Sequence, residues 1–329
     1  MRDAFERLGW EERFFRPSVS CLGDVQALAT GVRAPDLLWV SCFRQRDVRA
    51  SWRWARKRGV PVVFDALISA YDKRVFERGK FSSDSSRAKK LLKWERELLA
   101  LPDVIVVDTE AHASFFNEAL GVEHERIVIV PVGAEEGLFE AAPMPASNPT
   151  EVLFYGSFIG LQDPETIVEA ACRCPGTRWT LLGDGPLRER CEQMAHGHDH
   201  ISFEDPVPYR ELASRIHRAY VLLGIFGTSA KASRVIPNKV YQSLACGRPV
   251  ITRASEAYPQ QMLGQDSVDS GVVFVPAGDG DALAHAARKL ISQETLGTMG
   301  QNARRTYEQW FSARAVGAAL ERVIDKCVG

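Results

Sequence analysis

The 329 residues lack any uninterrupted apolar run near the roughly 20 residues that cross a bilayer, so no membrane-spanning helix is expected. The start, Met-Arg-Asp-Ala-Phe-Glu-Arg, has no apolar core of the kind a secretory leader carries. Cysteine is sparse and odd in number: Cys21, Cys42, Cys172, Cys174, Cys191, Cys246 and Cys327 include no C-x-x-C pair. That argues against a disulfide framework and a structural zinc site, and for reduced thiols in a cytoplasm. Charge of one sign is lacking too. A formal net charge of −1 gives no whole-chain electrostatic case for nucleic acid as partner. No repeat of 20–50 residues and no low-complexity stretch is visible. No G-x-G-x-x-G follows a strand pattern, and Gly183-Asp-Gly185 is too short for that fingerprint, which argues against a nicotinamide enzyme.

What is present is ordinary globular composition, 45% hydrophobic and 25% charged, in a length that favours two domains. Short β-branched runs alternate with longer amphipathic stretches, the rhythm of βαβ units and parallel sheets. Strands are expected at 37–41, 60–65, 104–108 and 127–131, with helices at 46–58, 84–100 and 110–120. Pro143, Pro145 and Pro149, around Ala146, Ser147 and Asn148, can neither continue a helix nor pair centrally in a sheet, which places a boundary there. The rhythm restarts with strands at 151–156, 178–182, 220–226, 249–252 and 271–275. The last helix follows Ser312, and its Val316, Leu320, Val323, Ile324 and Cys327 share one face. The expected domains are therefore 1–145 and 150–308, both Rossmann-like, with helix 309–329 returning to the first. The first domain opens on what reads as a helix, so an initial strand is missing from its pattern. Two such sheets leave a cleft at the carboxyl ends of their strands, where open α/β sheets bind ligands.

Residues able to carry chemistry concentrate in Tyr220–Thr252, which reads as strand, polar loop, helix, turn and strand. Pro237 and Asn238 open the helix and leave its first backbone N–H groups for an anion, and Lys239 adds charge at that end. Gln242 lies one turn further on the same face. Lys231 and Arg234 precede the helix in a loop that could close over the same anion. The alternative is that these cations are solvated loop charges and Asn238 a cap. In the first half, Asp65 ends a strand, with Ser69 and Asp72 just beyond; it can orient or deprotonate an acceptor hydroxyl, or it can cap the next helix. Asp108 invites the same argument more weakly. Asp279-Gly-Asp281 precedes a helix and reads as a cap, and His196-Gly-His-Asp-His200 as a polar loop, so no metal site is expected.

The run from Pro237 to Val250 resembles the donor-binding segment of the family-4-like glycosyltransferases of GT-B fold, through Pro237, Lys239, Ala245, Gly247, Pro249 and Val250 in a P-x-K-x-x-E-x-x-A-x-G-x-P-V pattern. Phe154-Tyr-Gly-Ser-Phe-Ile-Gly160 and Thr180-Leu-Leu-Gly-Asp-Gly-Pro186 look like that family's first two donor-domain strand turns, and Asp108-Thr-Glu-Ala-His112 and Val130-Pro-Val-Gly133 like the end of its acceptor domain. The resemblance implies a retaining transfer from a nucleotide-diphospho-sugar, a co-substrate, with no metal or other cofactor. It implies Lys239 at the diphosphate, Gln242 at the ribose, and Gly156, Ser157 and Gly183 lining the donor site. The family's E-x7-E pair reads Arg234-x7-Gln242 here, and no Arg or Lys stands between Gly156 and Gln162. An epimerase of nucleotide-sugars on the same fold and a non-catalytic partner subunit remain alternatives.

Arg44 to Arg96 holds 16 Lys plus Arg against 6 Asp plus Glu, a net of +10. Stretches 46–58 and 84–100 combine these charges with Trp52, Trp54 and Trp94. They read either as peripheral contacts to an anionic membrane face or as solvated faces over buried stripes.

Overall fold

The computed structural model describes residues 2–146, 150–292 and 296–329, so Ser147, Asn148 and Pro149 of the Pro-rich stretch lie outside the described residues. The chain forms two compact units. One runs to Pro131 and includes Ala313–Gly329; the other is Val132–Ser312.

The first unit contains α1 (Arg2–Arg7), α2 (Gly23–Ala29), β1 (Leu38–Val40), α3 (Val48–Arg56), β2 (Val62–Asp65), α4 (Ala70–Asp72), α5 (Ser86–Leu99), β3 (Val104–Val107), α6 (Glu110–Glu118) and β4 (Ile127–Ile129). Its sheet is wholly parallel in the order β1-β2-β3-β4, and among the described residues no strand precedes Leu38. The continuous apolar runs of β2 and β3 are needed because both sheet faces are covered. Val62, Phe64, Ile105 and Val107 face a core with Trp54, Leu98, Leu99 and Phe116 of the crossover helices.

The second unit contains β5 (Glu151–Tyr155), α7 (Pro164–Cys172), β6 (Arg178–Leu182), α8 (Arg188–Met194), β7 (Ile201–Glu204), α9 (Leu212–His217), β8 (Val221–Leu223), α10 (Asn238–Ala245), β9 (Val250–Arg253), α11 (Gln260–Leu263), α12 (Ser267–Ser270), β10 (Val272–Val275), α13 (Gly280–Ile291) and α14 (Leu296–Trp310). Its six parallel strands run β10-β9-β8-β5-β6-β7. The order reverses between β5 and β8, the switch point at which such sheets open a crevice. Strand β7 is absent from the expected set: Ile-Ser-Phe-Glu alternates apolar and polar residues, as suits an edge strand, and lacks the continuous run that marks its buried neighbours.

Helix α15 (Ala313–Val328) ends the chain. Alternate residues Val63, Val104 and Val106 point to the sheet face opposite Phe64, and they pack with Ala319, Leu320 and Val323 of α15 and Phe5 of α1. Leu320 and Val323 are fully buried, each contributing about 1.5–3 kcal/mol.

The stretch expected as a linker is tied to the second unit. Arg248, itself buried, donates from Nη1 to Ala142 O (2.7 Å) and from Nη2 to Pro143 O (2.8 Å) and His217 O (2.9 Å). Proline removes donors, but the carbonyls of this segment still accept from the fork of an arginine. A second buried arginine holds three strands together. Arg215 on α9 donates to Glu151 at 2.9 and 2.8 Å and to Glu204 at 2.8 Å, and the Thr180 hydroxyl donates to Glu151 at 2.6 Å. Exchange of Arg215 for Met leaves the Glu151 carboxylate buried without its partner, and urea unfolding should report a loss of about 3–5 kcal/mol; a loss under 1 kcal/mol would mean that water replaces the guanidinium.

Candidate functional site

In the second unit, the carboxyl ends of β5 and β6 turn on glycines. Gly156 has φ +149° and Gly183 φ +138°. A Cβ on Gly183 would collide with the Gly156 carbonyl oxygen, and one on Gly156 would meet Gln162 Oε1 and come 2.8 Å from Lys239 Nζ. Only glycine lets these two turns and the lysine share one place. Ser157, the next residue, is exposed at the rim.

Helix α10 begins at Asn238, with Pro237 as its N-cap, which offers no side-chain capping bond. Asn238 is an exposed first-turn residue rather than a cap. Lys239 points back from this turn and is 5% exposed. Its Nζ donates to Gln162 Oε1 at 2.6 Å and lies 3.8 Å from the centre of the Phe154 ring. The full positive charge expected from sequence is therefore sequestered, and burial pushes this ammonium well below its ordinary pKa. The ring face and the Gln162 oxygen favour the charged form, and an anion brought to the turn would add to them.

Gln242, one turn on, is buried and accepts from the Tyr155 hydroxyl at 2.8 Å. The Tyr209 hydroxyl also bonds Gln242, and Tyr209 stacks edge-on to Phe139. With Oε1 occupied by Tyr155, the amide nitrogen of Gln242 is the group left to donate. Lys231 is buried and Arg234 half-buried in the turn between β8 and α10. Sequence reasoning identified Lys239 and Gln242 but missed Gln162, Tyr155 and Tyr209. These belong to a loop, a strand and a short helical turn with no spacing relation to α10.

In the first unit, Asp65 closes β2 and is 8% exposed. It does not cap the following helix: Ser69 does, its side chain accepting from Asp72 N. The turn is braced by Glu95 of α5, a buried carboxylate that accepts from Ser69 Oγ (2.8 Å), Ala70 N (2.6 Å) and Tyr71 N (2.8 Å). Asp65 is thus free of capping duty. Burial raises its pKa to about 6; the Leu67 N–H opposes that rise and the neighbouring Asp108 carboxylate adds to it. Asp108 accepts from His112 Nδ1, both buried at the end of β3, while Thr109 caps α6. His112 entered the sequence reading only as the end of the Asp108–His112 segment, and its bond to Asp108 was not foreseen. Its signal was the i, i+4 spacing from Asp108 across a helix start.

Asp279 caps α13 by accepting from Ala282 N at 2.8 Å, and Asp281 pairs with Arg173. His200 bonds Ala171 O. Among the described residues no His, Cys, Asp and Glu side chains group in a way that could hold a metal.

Two family models match the chain, "Glycosyl transferase 4-like domain" over residues 5–133 and "Glycosyl transferases group 1" over residues 150–293. A lipopolysaccharide core biosynthesis glycosyltransferase of Rhizobium meliloti is 25% identical over 181 residues, 55% of this chain and 51% of that protein. A D-inositol 3-phosphate glycosyltransferase of Segniliparus rotundus is 24% identical over 274 residues, 77% of this chain and 58% of that protein. The chain thus spans a little over half the length of each. Among solved structures, Anabaena HepE in complex with UDP superposes with a TM-score of 0.72 at 14% identity, covering 98% of this chain and 88% of that one. A sucrose-phosphate synthase from Thermosynechococcus elongatus superposes with a TM-score of 0.70 at 18% identity, covering 93% and 77%. With a 4-like domain matched before residue 133, a group 1 domain after residue 150 and parallel sheets in both units, the chain belongs to the glycosyltransferases of GT-B fold.

Proposed function

We propose that the chain transfers a sugar, with retention and without a required metal, from a nucleoside-diphospho-sugar to an acceptor hydroxyl. The second unit holds the donor and the first the acceptor. The observation that carries this reading is the Lys239 ammonium, buried between the Gly156 turn, Gln162 and the Phe154 ring at the open N-terminus of α10. That arrangement has cationic character and N–H donors but, among the described residues, no carboxylate partner on the lysine, so a diphosphate completes it. The positive end of α10 and Lys239 do electrostatically what a divalent cation does for a leaving diphosphate. Gln242, Ser157 and the backbone at Gly156 and Gly183 border the sugar-nucleotide, with Lys231 and Arg234 on the loop before α10. HepE, which is similar in fold, was solved with UDP and with UDP-glucose, which makes a uridine nucleotide the first donor to try.

Calorimetric titration with UDP tests the donor half. Lys239→Met should fold at least as stably as the parent, since it removes a buried amine, yet bind UDP at least tenfold more weakly while binding of uridine is unchanged. Equal losses for both ligands would take Lys239 away from the phosphates. Gln242→Glu should retain UDP, because a carboxylate there still accepts from Tyr155 and offers an oxygen to a ribose hydroxyl.

Asp65 is assigned to orient the acceptor hydroxyl and take its proton, as a carboxyl with a pKa near 6 can. The sign of its effect on stability follows. Between about pH 4 and pH 6 the unfolded chain ionises Asp65 while the folded chain keeps the proton, so stability falls as pH rises, by up to about 3 kcal/mol above pH 6. Asp65→Asn should therefore match the parent in stability near pH 4 and exceed it at pH 8, while lowering transfer at least 100-fold. Unchanged transfer would remove Asp65 from the chemistry, and product formed from donor alone would favour the epimerase.

The basic face of α5, with Arg87, Lys89, Lys90 and Lys93 all exposed, supports peripheral contact with anionic lipid. The face of α3 supports it less, because Arg53 pairs with Asp24 and Arg49 with Glu97. Charge reversal at the four α5 positions should abolish low-salt co-sedimentation with phosphatidylglycerol vesicles. Parent protein that ignores such vesicles would exclude the contact.

A further inference from the structure

The loops at the carboxyl end of the first sheet, where Asp65 ends β2, carry part of the excess positive charge of Arg44–Arg96. The loop after β1, residues 41–47, and the segment after β2, residues 66–80, together hold six Lys and Arg, namely Arg44, Arg46, Lys73, Arg74, Arg78 and Lys80. They face three carboxylates, Asp47, Asp72 and Glu77. Asp47 is taken by Arg44, Asp72 is buried, and Glu77 lies 3.9 Å from Arg78. Arg46, Arg74 and Lys80 are exposed and make no ion pair among the described residues.

Two contacts join the loop to the segment. Lys73 Nζ sits 5.7 Å from the centre of the Phe43 ring, and Gln45 Nε2 donates to Ile68 O at 3.2 Å. The backbone is specialised at both places. Phe43 holds φ +64°, a left-handed conformation costly for an aromatic residue, and keeps its ring 62% exposed. Residues Lys73–Glu77 form a π-helical turn, closed by Arg78 N–H donating to Lys73 O at 3.0 Å, and such turns are rare and gather at functional sites. The turn is not loose. It continues α4, whose first N–H groups are anchored by the buried Glu95 carboxylate. Strain and a rare helix type maintained on an anchored segment whose cations outnumber their carboxylate partners are what a binding rim requires, and a solvated surface needs neither.

We propose that the acceptor of this glycosyltransferase bears a phosphate, held by Lys73, Arg74 and Arg78 at this rim, with the exposed Phe43 ring against the sugar that carries it and Asp65 at the reacting hydroxyl. A guanidinium fork matches phosphate oxygens two at a time, and an aromatic face beside it suits the apolar face of a sugar ring. The inference rests on the transferase reading above and names its acceptor class. The phosphate belongs either to a soluble sugar phosphate or to a lipid-linked one.

The test is calorimetric titration of the full chain, first saturated with UDP so that the donor site is filled, with glucose 6-phosphate, with glucose, and with phosphatidylglycerol vesicles. Glucose 6-phosphate should bind at least tenfold more tightly than glucose, and Arg74→Gln/Arg78→Gln should remove that difference; both positions are exposed, so folding is retained, and an unaltered urea-unfolding curve verifies it. Vesicle binding alone, lost in the same variant while α5 is intact, retains the phosphate and assigns it to a lipid-linked acceptor. Binding of neither ligand through these arginines overturns the proposal. Failure of UDP to bind at all would instead overturn the donor reading, so the two failures are separable.

Discussion

An amine buried beside a ring face and an amide oxygen, where two glycine turns touch, fixes the start of α10 in the second unit. Lys239 can occupy that place only because Gly156 and Gly183 have no side chains, and α10 must therefore start where it does, with its first N–H groups open. The strand order contributes in the same direction. Reversal between β5 and β8 separates the loops after those strands, which is where α10 begins and where Gln162 returns to meet the lysine. Arg215 and Arg248 stand at a distance from this chemistry and hold the frame: one joins β5, β6 and β7, the other fastens residues 142 and 143 to the α10–β9 turn.

The first unit solves a different problem, which is to leave a carboxylate unengaged at a strand end. Strand ends are followed by helix starts, and helix starts consume carboxylates and hydroxyls. Here Ser69 and the distant Glu95 serve α4, and Thr109 serves α6. That division of labour leaves Asp65 uncommitted to a cap, and burial with the like-charged neighbour Asp108 outweighs the Leu67 N–H and puts its proton within reach of neutral pH. The proposed cationic rim belongs to the two loops that follow β1 and β2, so charges of opposite sign share the carboxyl end of one sheet.

Much of this was legible in the residues. Continuous apolar runs marked most of the strands, and a Pro, a Lys and a Gly at fixed intervals marked the donor-type segment, because both patterns are local consequences of period and helix-start geometry. The edge strand at Ile201–Glu204 escaped because an edge exposes one face and breaks the run. Gln162, Tyr155 and Tyr209 escaped because their roles arise from contacts across 77, 87 and 33 residues of chain, the last being the span from Tyr209 to Gln242.

What the sequence by itself determined was most of the buried strands, the parallel character of the sheets and the position of the first turn of α10, all of which follow from local spacing and backbone stereochemistry. Which carboxylate is spent as a cap and which is left free was decided only in three dimensions. Asp65 and Asp108 stand at strand ends and Ser69 four residues beyond one, all three offer capping chemistry, and Glu95, 30 residues beyond Asp65, settles the matter by reaching the α4 terminus through the fold. The charge of Lys239 was decided there as well. A lysine at a helix start reads as a solvated cation until packing on Phe154 removes the water, and desolvation is a property of the surroundings that no local pattern records.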